Sequence, residues 1–155
     1  MGTPASFATT HEALERCRRY RRENGLYGVV DQTLGRIMLQ IGVVAAVTMP
    51  APLGARVRDR LRAADGDHGP IIGHPRSRRW TFLTGPADDS TATDTAVLAL
   101  LGQYAALALP GTRIVLPSPA DERTAYRVWI DSPEGHFLPD LAEVIEAIRG
   151  CAPVR

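Results

Sequence analysis

The sequence predicts an α+β fold: a single domain with one mixed β-sheet flanked by helices, in the order α-β-β-β-α-β-β-α-β-β-α. Three observations predict it. A chain of 155 residues suits one domain that buries about two-thirds of its unfolded surface. Segments with apolar residues at three- and four-residue spacing alternate with short β-branched runs. No internal repeat and no long linker divides the chain, so residues 9–150 form the domain, between a flexible stretch at 1–8 and a tail at 151–155.

The first helix is "TTHEALERCRRYRRENG". Thr9 is placed to cap it, Glu12 to complete a capping box, and Gly25 to end it. Ala13, Leu14, Cys17 and Tyr20 form a narrow apolar stripe, and Arg16, Arg18, Arg19, Arg21 and Arg22 cover the rest. Three strands follow, "YGVVD", "RIMLQI" and "VVAAVTM". Their poor alternation and β-branched content predict at least one strand buried on both faces. "MPAPLGARVRDRLRAA" is a second helix, with Pro52 in its first turn and Leu53, Val57 and Leu61 on its core side. "PIIGH" and "RWTFLT" form a hairpin around "PRSR". After the acidic linker "ADDSTATD", the run "TDTAVLALLGQYAALAL" is expected as one largely buried helix ended by Pro110-Gly111. "TRIVLPSP" and "AYRVWIDSP" are strands around the polar loop "ADERT". "LPDLAEVIEAIRG" closes the domain as a helix with Leu141, Val144, Ile145 and Ile148 on its core face and Gly150 after it.

The 45% hydrophobic and 23% charged content is that of an ordinary soluble globule. No window reaches the roughly 18 uninterrupted apolar residues of a membrane span, and no basic start leads into an apolar run as a secretory signal does. Cys17 and Cys151 are isolated thiols, which favours reduced cysteines in a cytoplasmic protein over a disulfide. Every basic residue is arginine. Residues 1–80 carry 13 Arg against 7 Asp/Glu, and residues 81–155 carry 5 Arg against 10. This asymmetry fits an anion-binding face; it fits, slightly better, two halves that attract each other within one fold.

Few residues point to catalysis. His11, His68, His74 and His136 have no metal spacing, and two lone cysteines cannot form a zinc cluster. No glycine-rich phosphate loop or nucleophile elbow occurs, so neither a metal nor a cofactor is expected. The acidic pairs Asp65/Asp67 and Asp88/Asp89 fall in loop-like stretches, while Asp31 and Asp131 end strands. The feature that stands out is "HPRSRRW". His74, Arg76, Arg78, Arg79 and Trp80 combine the guanidinium and ring groups that contact phosphates and bases. Arg18, Arg19 and Arg22 on the first helix offer a second basic surface. A solvated turn and a solvated helix face explain the same residues without function.

The succession "VVAAVTMPAPLGARVRDRL", "GPIIGHPRSRRWTFLTGP", "IVLPSPADERTAYRVWIDSP" and "LPDLAEVIEAIRG", over about residues 26–150, resembles a group of small actinobacterial proteins. That group is described as similar to bifunctional DNA primase/polymerase (Prim-Pol) domains. The resemblance implies a primase-polymerase-like scaffold. The superfamily's active members carry an Asp-x-Asp/Glu pair, a small-x-His motif and a later strand aspartate. Here no strand carries the pair, Ile72 fills the small position of "IGH", and Asp131 alone matches an acid. The resemblance thus implies a degenerate member without catalytic residues. The expected function is a non-catalytic binding or regulatory protein that contacts nucleic acid or nucleotide through the arginine hairpin. The alternative is an interaction module pairing with itself or another protein, and an active nucleotidyl transferase ranks last.

Overall fold

The computed structural model describes residues 6–65, 67–88 and 94–151. The amino-terminal helix, α1, spans Phe7–Asn24, and the cap is Ser6, whose side chain accepts from the Thr9 amide. Thr9, expected as the cap, instead lies within the first turn. Gly25 ends the helix at φ 63°, a left-handed conformation that suits glycine. Strands β1 (Val29–Asp31), β2 (Arg36–Gln40) and β3 (Ala45–Pro50) follow, and α2 (Ala51–Asp65) starts directly from β3. The hairpin is β4 (Ile71–His74) and β5 (Arg79–Thr84), as expected.

The expected helix over 93–109 is shorter. Helix α3 covers Asp94–Leu101, and a turn with Tyr104 at φ 59° leads into a short strand, β6 (Ala106–Leu107), paired with β3. The run "AALAL" satisfies a period of two as well as a helical one, and the open edge of β3 decides in favour of the strand. Leu98, Leu101, Tyr104 and Leu109 are exposed, so this region is not the buried helix predicted. The residue ahead of α3 lies outside the described residues, as does Asp89.

Strand β7 (Arg113–Leu116) is followed by α4 (Pro119–Arg123), which replaces the expected loop "ADERT". Ser118 and Asp121 form a reciprocal capping box around it, with Pro119 at its start. Strand β8 (Val128–Asp131) and α5 (Leu141–Gly150) complete the chain. Gly150 lies within the last turn rather than after it, and Cys151 caps the helix from a buried position, so it belongs to the core and not to a tail.

The class is α+β, as the sequence predicts, but the strands form two antiparallel sheets and not one mixed sheet. One has the order β1-β2-β7 and the other β6-β3-β5-β4-β8. Two sheets arise because β3 pairs with β5 and β6 and leaves β2 to β7. The five-stranded sheet is therefore buried on both faces. On one, Val47, Met49, Ile71 and Phe82 pack against Leu53, Val57 and Leu61 of α2 and Leu141, Val144, Ile145 and Ile148 of α5. On the other, Ala46, Ile72 and Leu83 meet Ile37 and Leu39 of β2, Leu116 of β7, and Ala13, Cys17 and Tyr20 of α1.

Tyr20 joins α1 to the β7–α4 junction and to β8. Its hydroxyl donates to the Pro117 carbonyl at 2.6 Å and accepts from the Trp129 indole N–H at 2.9 Å. The two rings meet edge to face with centroids 5.8 Å apart.

Replacing Ile145 with Ala should cost about 2–5 kcal/mol by denaturant titration, from reduced burial and the cavity left behind. Tyr20→Phe should cost about 1–3 kcal/mol, because it leaves two buried polar groups without their partner. An unchanged midpoint in either variant would contradict the packing described.

Candidate nucleic-acid interface

The four-residue turn Pro75–Arg78 places His74 directly opposite Arg79. Arg78 takes φ 55°, an uncommon conformation for a side-chain-bearing residue, and its carbonyl accepts from the Ala51 amide at 2.9 Å. The tip is thereby tied to the start of α2. Residues alternate between the faces of β5. Trp80 points towards α2, where its ring lies over Gly54; an added Cβ there would meet the indole at 2.7 Å. Trp80 is thus an anchor on the helical side. Arg79, Thr81 and His74 take the opposite face, towards β7.

A cleft of about 400 Å³ lies between the two sheets on that face. Thr48, His74, Arg79, Thr81 and Arg127 form its polar end, and Ala46, Ile72, Ala106, Ala108, Ile114 and Val115 its apolar walls. The His74 Nε2 lies 2.8 Å from the Thr81 hydroxyl. Arg79 donates through Nε to Thr48 Oγ1 at 3.3 Å and through Nη2 to the Tyr104 carbonyl at 2.8 Å. Arg127 pairs with Asp121 at 3.2 Å and stacks over Tyr126 at 4.6 Å, and Arg76 stacks over the same ring at 4.9 Å. Arg78 is exposed at the tip. Among the described residues, no carboxylate pairs with Arg76, Arg78 or Arg79. Burial, together with the charges of Arg127 and Arg79, holds His74 below its ordinary pKa.

The structure does not join the α1 arginines to this surface. Arg18 pairs with Glu15 at 2.6 Å and Arg19 with Glu23 at 3.6 Å, both exposed along the helix, and Arg22 is exposed beside them. Other arginines of the basic half cross to the acidic half. Arg16 makes a two-point pair with Glu122, and Arg58 reaches both Asp131 oxygens at 2.7 Å.

Asp131 is therefore engaged by α2 and does not belong to the hairpin surface. A bulge between Ile71 and Ile72 sets Trp129 on the α1 side while Asp131 meets α2. There Arg58, Arg62 at 3.8 Å and His68 at 3.4 Å surround it. His74 faces the opposite side of the sheet, so the acid and the histidine do not share a site. Asp31 is a turn residue, its Oδ1 accepting from the Thr33 and Leu34 amides. Asp67 likewise accepts from the Gly69 amide. Among the described residues, no three His, Cys, Asp or Glu side chains are placed to hold a metal ion, and no helix is long and apolar enough to cross a membrane.

Sequence reasoning missed Thr48, Thr81, Tyr126 and Arg127. Thr81 was legible, since alternation from Arg79 puts it on the same face. Arg127 was not, because its place depends on β8 pairing with β4. No family model, curated protein or solved structure matches this chain.

The His74 environment gives a pH dependence. The unfolded histidine titrates near its ordinary value of about 6.5, and the folded one lower. The unfolded state therefore takes up the proton first. Stability should fall as pH drops through about 6.5 and level off below the folded value. His74→Gln should flatten that part of the profile, measured by urea midpoints between about pH 7.5 and 5. A variant profile parallel to wild type would contradict the assignment.

Proposed function

We propose that this protein is a non-catalytic binding or regulatory protein that contacts nucleic acid or nucleotide phosphates through the β4–β5 hairpin. The observation that carries the reading is charge without counter-charge. Arg76, Arg78 and Arg79 gather at one turn with no carboxylate partner among the described residues, while Arg16, Arg58, Arg62 and Arg127 are paired within the fold. Guanidinium groups left without an internal acid are available to an external phosphate. The resemblance to Prim-Pol-like proteins belongs to the same proposal, with catalysis absent because the carboxylate pair is missing and Asp131 is held by α2.

A second reading, self-association, is favoured by one observation. Leu98, Leu101, Tyr104 and Leu109 lie in one short stretch of chain, and each is more than half exposed. Several large apolar side chains exposed within a dozen residues suit a protein contact. A stable oligomer indifferent to salt and nucleic acid would support this reading over the first.

Binding of short single- and double-stranded DNA across a salt series tests the hairpin. Each phosphate left without its arginine should reduce the log–log slope by about 0.7–0.9, so Arg76→Ala, Arg78→Ala and Arg79→Ala together should reduce it by about 2–3. The triple variant should stay folded and be destabilised by about 1 kcal/mol, chiefly through the missing Arg79 bonds to Thr48 and Tyr104. An unchanged slope, or wild type without salt-dependent binding, would overturn the reading.

A further inference from the structure

We propose that the cleft between the two sheets binds a small organic anion, a phosphate or carboxylate head on a flat or branched apolar body. The inference takes the sign of the ligand from the reading above, through Arg79 and His74, and takes its shape from the cleft alone. At about 400 Å³ the space matches a small-molecule site. It exists because Ala46, Ala106 and Ala108 stand where longer side chains would close the gap between the sheets. A cleft of this size, open to solvent and walled on one side by alanines and on another by Ile114, offers contact to an apolar body.

The polar end gives the opposite instruction. Arg79 and Arg127 are the charged groups facing His74, from β5 and from the residue just ahead of β8; Thr48 and Thr81 face it as hydroxyls, and β7 contributes apolar side chains. Asp121 is the acid near this end, and Arg127 already engages it. An anionic head is therefore attracted by Arg79 and accepts from the threonine hydroxyls, while its apolar body displaces water from the alanine wall. Inorganic phosphate leaves that wall wet, and a neutral ring leaves the Arg79 charge without a counter-charge. Both halves of the ligand are needed. Bringing an anion beside His74 favours the protonated imidazole, so binding takes up a proton and strengthens as pH falls.

The test uses the full chain with 1-naphthyl phosphate and 1-naphthylacetate, which separate the two head groups, and inorganic phosphate and 1-naphthol as half-ligands. Calorimetry gives affinity, and the His74 ring resonances report the site. At least one naphthyl anion should saturate and shift the His74 signals, with each half-ligand at least about tenfold weaker. Arg79→Gln should weaken binding roughly ten- to a hundredfold, the worth of a charge-assisted hydrogen bond. Ala106→Leu should fill the cleft and abolish the His74 shift while the DNA salt slope stays at its wild-type value. Because 1-naphthalenesulfonate keeps its charge across the range, its affinity should rise between about pH 7.5 and 5.5 in wild type and not in His74→Gln. Absence of saturable binding, or binding that leaves His74 unmoved in wild type, overturns the proposal even if Ala106→Leu fails to fold. DNA binding without probe binding sinks the cleft alone, and probe binding without DNA binding sinks the hairpin reading alone.

Discussion

The phenol of Tyr20 is the point on which the joining of α1 to the β7–α4–β8 segment depends. Its hydroxyl meets the Pro117 carbonyl, the Trp129 indole and, at 3.4 Å, the Arg16 guanidinium. A buried hydroxyl without partners is costly, so this one is stable only where α1, the β7–α4 junction and β8 arrive together. Burial pushes the Tyr20 phenol above its ordinary pKa, so the group remains a neutral donor. The Arg16–Glu122 pair lies beside it and draws α4 onto α1. Correct placement of β8 then fixes Arg127 at the mouth of the cleft. The geometry of the basic end of the molecule is thus set by a cluster in its core.

Part of the uneven charge of the two halves is neutralised within this assembly. Arg16 with Glu122, Arg123 with Glu12, and Arg58 and Arg62 with Asp131 each join one half to the other. These pairs differ in worth. The exposed Arg123–Glu12 pair contributes little beyond about 1 kcal/mol, whereas removing one member of the half-buried Arg58–Asp131 pair strands the other charge against α2. Arg22, Arg36, Arg56 and Arg113 also have no carboxylate partner among the described residues, but the hairpin sets three such arginines within four residues of chain.

Local patterns carried most of the fold. The apolar spacing of α2 and α5, the β4–β5 hairpin, and the burial of at least one of the first three strands on both faces, which proves to be β3, could be read from neighbouring residues, because each depends on local pattern. What could not be read was decided by distant partners. The run after Leu101 became a strand because β3 offered an open edge, and the strands divided into two sheets because β7 returned to β2. Helix α4 was legible in principle, since "SPAD" is a capping box with proline at the first position. The candidate site divides in the same way. His74 and Arg79 followed from the turn, but the cleft they face requires a second sheet that periodicity does not reveal.

The two cysteines have a consequence for how this molecule comes apart. Cys17 lies in the layer with α1, and Cys151 in the layer with α2 and α5, with the five-stranded sheet between them. No native motion short of removing that sheet brings the sulfurs together, so an internal disulfide belongs to the unfolded chain. Burial also raises the Cys17 thiol above its ordinary pKa, which keeps it unreactive while the layer is closed. Each sulfur therefore becomes reactive when its own layer opens. The pair amounts to two independent clocks, one on either side of the central sheet, able to tell whether the molecule loosens one layer at a time or all at once.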